Sequence, residues 1–160
     1  MIITHPNRDK PVAKATRAMV VLLLLLSTAL VLIVTIGGWN VLEGALPVQL
    51  AYIAVYVTFA FFALRWNRGV LPVASALAVI LGIFALAAGH SWFVRAHAGF
   101  TQPSINSEAL GLITYLVAPV QVLLIAFAMR GFNQGWNVEL ERRDPAAAQG
   151  GYADAPPQPA

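Results

Sequence analysis

Long uninterrupted apolar runs alternate with short polar connections along this chain, and the alternation predicts four helices. The first span covers about 18–38 and contains no charged residue. The second covers about 47–66, opened by Pro47 at a first-turn position and stopped at Arg65-Trp66-Asn67-Arg68-Gly69. The third covers about 70–93 and the fourth about 108–131. Each is long enough for a hydrocarbon core that needs roughly 20 residues of helix. The expected fold class is an all-α integral membrane protein, a four-helix transmembrane bundle. Only about five residues join the second and third runs, so neighbouring helices are expected to be antiparallel. The first run exceeds the roughly 7–15 apolar residues of a cleavable leader and lacks an A-x-A site after Gly37-Gly38, which makes it a retained anchor.

Composition supports the membrane reading. Of the 160 residues, 59% are hydrophobic and 11% charged, against about a quarter charged in soluble domains. One membrane domain, 18–132, is expected between a basic segment, 1–17, and a Pro/Ala-rich tail, 133–160. The net charge of +3 comes from short clusters beside the apolar runs. No basic stripe with interleaved aromatics is present, so nucleic acid is not an expected partner. Arg8, Lys10, Lys14, Arg17, Arg65, Arg68, Arg130, Arg142 and Arg143 fall on one predicted side, and Arg95 alone falls on the other. The positive-inside bias then places both termini in the cytoplasm of a multi-pass plasma-membrane protein. The chain has no cysteine, which removes disulfides, thiolate metal sites and thiol redox chemistry.

The tryptophans Trp39, Trp66, Trp92 and Trp136 each stand near the exit of a run, as interfacial anchors do. Counting cations divides them into an outer pair, Trp39 and Trp92, and an inner pair, Trp66 and Trp136. A Trp-Asn pair recurs at 39–40, 66–67 and 136–137, and G-W-N-V is complete at 38–41 and 135–138. The local account is preferred to a duplicated unit: tryptophan anchors, and asparagine takes the left-handed conformation that ends a helix. Residues 144–160, with four prolines, are expected to be disordered, and 135–143 to lie against the membrane surface.

Helix faces supply the candidate positions. Ser75, Ala78, Gly82, Ala85 and Gly89 form a small-residue seam on the third helix, and Ser107, Gly111, Thr114, Ala118, Gln121 and Ala128 form one on the fourth. Close packing between these two seams is expected. Pro119 sits mid-span, where it must remove a backbone hydrogen bond and kink the helix. Gln121, two residues on, carries a carboxamide that needs a partner in hydrocarbon. The stripe Tyr52, Tyr56 and Phe59 is a packing surface or a quinone or lipid contact. The first run, nearly all Leu, Val and Ile, is expected to be a lipid-facing wall.

Chemistry is sparse. His90 and His97 flank the outer end of the third helix, and only Glu43 and Glu108 are on hand to complete a metal site. Their spacing matches no ligand motif, Glu108 is better placed as a first-turn acid, and a haem lacks a second axial ligand. No metal and no cofactor are therefore expected. No Asp, Glu, Lys or Arg lies inside any of the apolar runs, and no G-x-S-x-G, H-E-x-x-H or phosphate loop is present, so catalysis is not expected. The first functional expectation is a non-enzymatic accessory or assembly subunit, partnered in the bilayer by another membrane protein or by itself as a homo-oligomer. The second is a pore or facilitator for a small solute, gated near Pro119 and Gln121. The third is binding of lipid, quinone or haem near the outer interface through Tyr52, Trp92 and His90.

Overall fold

The computed structural model describes residues 2–97 and 99–142. Their elements run β1 (Ile2–Thr4), α1 (Pro6–Asp9), α2 (Pro11–Gly37), a 3-10 turn (Trp39–Val41), α3 (Leu46–Leu64), α4 (Val70–His97), α5 (Ser107–Asn133) and β2 (Leu140–Arg142). Helices α2, α3, α4 and α5 are each long and apolar enough to cross a membrane. At 1.5 Å per residue the shortest, α3, is about 28 Å long, close to a hydrocarbon core of about 30 Å.

Helix α2 begins at Pro11, seven residues before the apolar run, because proline at the first helical position fits the missing N–H, and Lys10 before it is extended. This helix is not a lipid-facing wall. Half of its most apolar window is buried inside the chain, against 17% for α3. Ala13, Thr16, Val20, Leu23, Ser27, Leu30 and Val34 are all buried and alternate at three- and four-residue spacing, which is one continuous helix face. The stripe was invisible in the hydropathy pattern because the opposite face, with Leu22, Leu25, Leu26 and Ile33, is just as apolar. The face packs against both α3 and α5.

The largest interface joins α4 to α5, through the two seams expected. Gly89 receives the ring of Tyr115, and Gly111 receives the ring of Phe93. The two rings stack on each other with centroids 5.9 Å apart and 21° between planes. Each helix thus offers a glycine as the seat for the other's aromatic side chain. Asn106 caps α5, its side-chain oxygen accepting from the N–H groups of Glu108 at 2.8 Å and Ala109 at 3.3 Å. Glu108 stands in the first turn, where the helix dipole favours it.

At the end of the bundle that carries Arg65 and Arg68, the two ends of the described chain meet. Strands β1 and β2 pair antiparallel, with Ile3 opposite Glu141. Asn7 Nδ2 donates to the Gly135 carbonyl at 3.1 Å, and Arg8 Nε to the Trp136 carbonyl at 3.0 Å. Residues 135–142 therefore fold back over the end of the bundle. The left-handed φ of 60° at Gly135 turns the chain there. The stretch 144–160, expected to be disordered, lies outside the described residues.

Two of the four tryptophans are interior. Trp136 is fully buried and Trp92 is 6% exposed, whereas Trp39 is 54% exposed. Trp66 is half-buried under Arg17, whose guanidinium carbon lies 4.1 Å from a ring centroid. The helix-ending account of the Trp-Asn pairs also changes in detail. After α3 the left-handed residue is Trp66, with φ of 62°. Asn67 N–H donates to the Phe62 carbonyl at 3.0 Å and Trp66 N–H to the Ala63 carbonyl at 3.0 Å, the pairing of a Schellman cap with tryptophan where glycine is usual. Asn67 contributes its side chain instead, accepting from the Gly69 N–H at 3.0 Å. Both G-W-N-V copies close a turn, Val41 N–H to the Gly38 carbonyl at 2.9 Å and Val138 N–H to the Gly135 carbonyl at 3.1 Å.

Candidate functional site

A polar layer crosses the middle of the bundle. Gln121, 1% exposed, accepts through Oε1 from the Tyr56 hydroxyl at 2.9 Å and donates through Nε2 to Ser27 Oγ at 2.9 Å. Ser27 in turn donates to the Leu23 carbonyl at 2.7 Å. One carboxamide thus joins α2, α3 and α5, with both of its ends bonded. Gly82 on α4 lies alongside: a Cβ there would sit 3.7 Å from the Gln121 Cβ, so the missing side chain brings α4 up to the layer.

Pro119 does not belong to this layer. It is exposed, and two residues along a helix is about 200° of rotation, so it stands on the face opposite Gln121. Helix α5 continues through it. The proposed gate is therefore not assembled within one chain: one member faces outward and the other is sealed.

The bonded layer yields a quantitative expectation. Tyr56→Phe should lower stability by about 1 kcal/mol, and Gln121→Leu by about 1–2 kcal/mol, because it orphans the Tyr56 hydroxyl while Ser27 keeps its own acceptor. The double variant should cost less than the sum, with a coupling near 1 kcal/mol in a denaturation cycle. Zero coupling would mean that the two side chains do not share a bond.

Toward the end of the bundle that carries the 98–106 connection, α3 and α4 touch little, and a cavity of about 480 Å³ lies between them. Val31 and Val34 of α2, Thr114 and Val117 of α5, and Leu81 and Ala85 of α4 form its inner wall. Val48 of α3 and Phe84 and Ala88 of α4, all exposed, form its rim, so the cavity is a cleft open to the side. Tyr52 lines it and packs edge-on against Tyr56, with centroids 5.7 Å apart, which sets the cleft directly beside the polar layer. The Tyr52 hydroxyl donates to the Leu77 carbonyl at 3.3 Å. Thr114 is buried there, its hydroxyl bonded back to the Leu110 carbonyl at 2.7 Å.

Gln49 is the polar group that sequence reasoning missed. Thr35 Oγ1 lies 2.7 Å from the Gln49 side-chain oxygen and also 2.7 Å from the Val31 carbonyl. One hydroxyl carries one proton, so it serves one acceptor at a time. The hydroxyl therefore donates either to the Val31 carbonyl or to Gln49 Oε1, and among the described residues Gln49 Nε2 has no partner. Gln49 lines the cleft, so the spare end is available to an occupant. The signal was present: Gln49 stands three residues before Tyr52 and seven before Tyr56, on the face of the aromatic stripe.

A second cavity of about 370 Å³ adjoins the first, sharing Ala88 and Ser91. His90, Trp92 and Arg95 line it. Trp92 is held against Gly38, where a Cβ would lie 2.7 Å from its ring, and clusters with Val34 and Leu110. His90 is exposed, and His97 bonds its own helix through Nδ1 and the Phe93 carbonyl at 3.1 Å. Among the described residues no three histidine or acidic side chains converge on a metal position. His90, His97, Glu43 and Glu108 are thus not brought together.

No protein-family model matches the chain, and no curated protein and no solved structure matches it.

Proposed function

We propose that this chain is a four-span protein of the cell membrane, with antiparallel neighbours and both termini cytoplasmic, that binds a single-chain amphiphile in the side cleft between α3 and α4. The cleft carries the reading. Its walls are apolar, its rim is open sideways where acyl chains would lie, and its polar groups are few: the spare end of Gln49, Ser91 and the tyrosine beside the central layer. A cavity of about 480 Å³ falls in the range of ligand pockets, roughly 300–1,000 Å³, which pair apolar walls with a few placed polar groups. The role is binding rather than turnover.

The accessory-subunit and pore readings draw on features that the chain uses internally. Gly82, Gly89 and Gly111 seat neighbours within the bundle, Tyr56 is buried against Gln121, and Gln121 is bonded at both ends. Orientation is supported by the gathering of Arg8, Lys10, Lys14, Arg17, Arg65 and Arg68 at the end where β1 meets β2. A reporter active only outside the cell is expected to be active when inserted near Glu43 or Gly99 and silent when fused after Arg143. The reverse pattern would overturn the orientation.

Binding is tested with a fluorescent dodecyl alcohol added to the purified chain in maltoside detergent. Saturable binding at one probe per chain is expected, reduced at least tenfold by Ala88→Trp, which fills the rim from an exposed position. Unsaturable partitioning, equal in both proteins, would remove the reading.

A further inference from the structure

The second cavity differs from the cleft in one respect: it contains a cation. Arg95 donates through Nη1 to the Thr101 carbonyl at 3.2 Å, and its guanidinium carbon lies 5.6 Å from the Phe100 ring centroid. These contacts fix the side chain without neutralising it. Among the described residues the only basic or histidine side chain within ion-pair distance of an acidic one is His5, 3.2 Å from Glu139 at the opposite end of the bundle. Glu43 and Glu108 stand at the same end as Arg95, both exposed, and neither comes within ion-pair distance of it. The remaining N–H groups of the guanidinium have no protein acceptor among the described residues. His90 lines the same cavity and adds two ring nitrogens. Its position also runs against the charge bias of the chain, which otherwise gathers its cations at the other end.

Ala88 and Ser91 line both cavities, so a chain lying in the cleft has its head beside Arg95. From this placement we propose that the amphiphile bound by the chain is anionic, with a carboxylate or phosphate head held by Arg95 and flanked by His90 and Ser91, and with its tail in the cleft. A guanidinium fork matches the paired oxygens of either oxyanion. The cavity is half enclosed by Trp92, Val94 and Leu42, which shields the pair from ionic screening more than an open surface would. This inference rests on the cleft being an amphiphile site and adds the charge of the head.

The test compares dodecyl phosphate with dodecanol, two probes sharing a tail, as competitors of the fluorescent probe on the full chain. Wild type is expected to prefer dodecyl phosphate by about tenfold, a preference that shrinks as salt rises. Arg95→Gln should bring the ratio close to one and leave dodecanol affinity within twofold, and Arg95→Lys should restore part of it. Unchanged dodecanol binding also reports that the variant cleft is folded. Equal binding of the two probes to wild type, or a preference that survives Arg95→Gln, overturns the anionic head while leaving the cleft standing. If neither probe binds wild type, the cleft reading itself fails.

Discussion

Trp136→Ala is expected to destabilise the bundle by about 3–5 kcal/mol, the range for removing a buried tryptophan from a packed core. The side chain is fully buried although it lies beyond the last helix. Its ring meets Trp66 edge-on, with centroids 5.4 Å apart and planes at 87°, and rests on Gly131 in the core cluster that includes Leu71. The indole N–H donates to Gln134 Oε1 at 3.0 Å, and the same amide donates through Nε2 to Thr16 Oγ1 at 2.9 Å. Removing the ring therefore opens a cavity, loosens the link to α2, and unseats Trp66 beneath Arg17. Trp39→Ala, at a ring 54% exposed, should change stability by less than about 0.5 kcal/mol. Denaturation in mixed detergent measures both. Similar losses for the two would mean that Trp136 is an interfacial anchor like Trp39 and not the keystone of the basic end.

The second large effect is expected at Gly89. A Cβ there would stand 2.6 Å from two carbons of the Tyr115 ring and 2.9 Å from a third, closer than unbonded carbons allow. The ring cannot simply turn aside, because Phe93 stacks on it and is itself seated on Gly111. Gly89→Leu should force α4 and α5 apart and cost about 2–3 kcal/mol, the upper part of the usual range for overpacking. Tyr115→Ala in the same chain vacates the seat and should return part of the loss, a sign of direct coupling. Gly44→Ala, at a position with nothing within 4 Å, is the matched control and should be neutral. A neutral Gly89→Leu would show that the seam does not hold these helices at close range.

The sequence was most legible where residue type and spacing spoke together. Ser75, Ala78, Ala85 and Gly89 on one helix, and Gly111, Thr114, Gln121 and Ala128 on the other, stood out because small and polar residues are conspicuous in an apolar background, and all are buried. The inward face of α2 was illegible for the converse reason: hydropathy reports contrast, and Val20 and Leu23 look no different from Leu22 and Leu25. Burial of Trp136 could not be read because it depends on the return of the chain at Gly135 and on the pairing of β1 with β2, contacts more than a hundred residues apart in sequence. Gln121 stands out in the sequence as a polar group that needs partners, but it neighbours Pro119 only along the chain, and a rotation of about 200° separates the two on the helix. Gln49 went unnoticed because it stood at the start of a span, where a polar residue is unremarked. Only the packing shows that its side-chain oxygen meets Thr35 and that the residue lines a cleft.

The claim that the cleft between α3 and α4 holds an amphiphile is tested most directly by native mass measurement of the chain extracted gently from its own membrane. Wild type is expected to retain one amphiphile per chain, and Ala88→Trp to lose it while keeping a cooperative unfolding transition. A wild-type chain free of any retained amphiphile, or an Ala88→Trp chain that carries the same one, would contradict it.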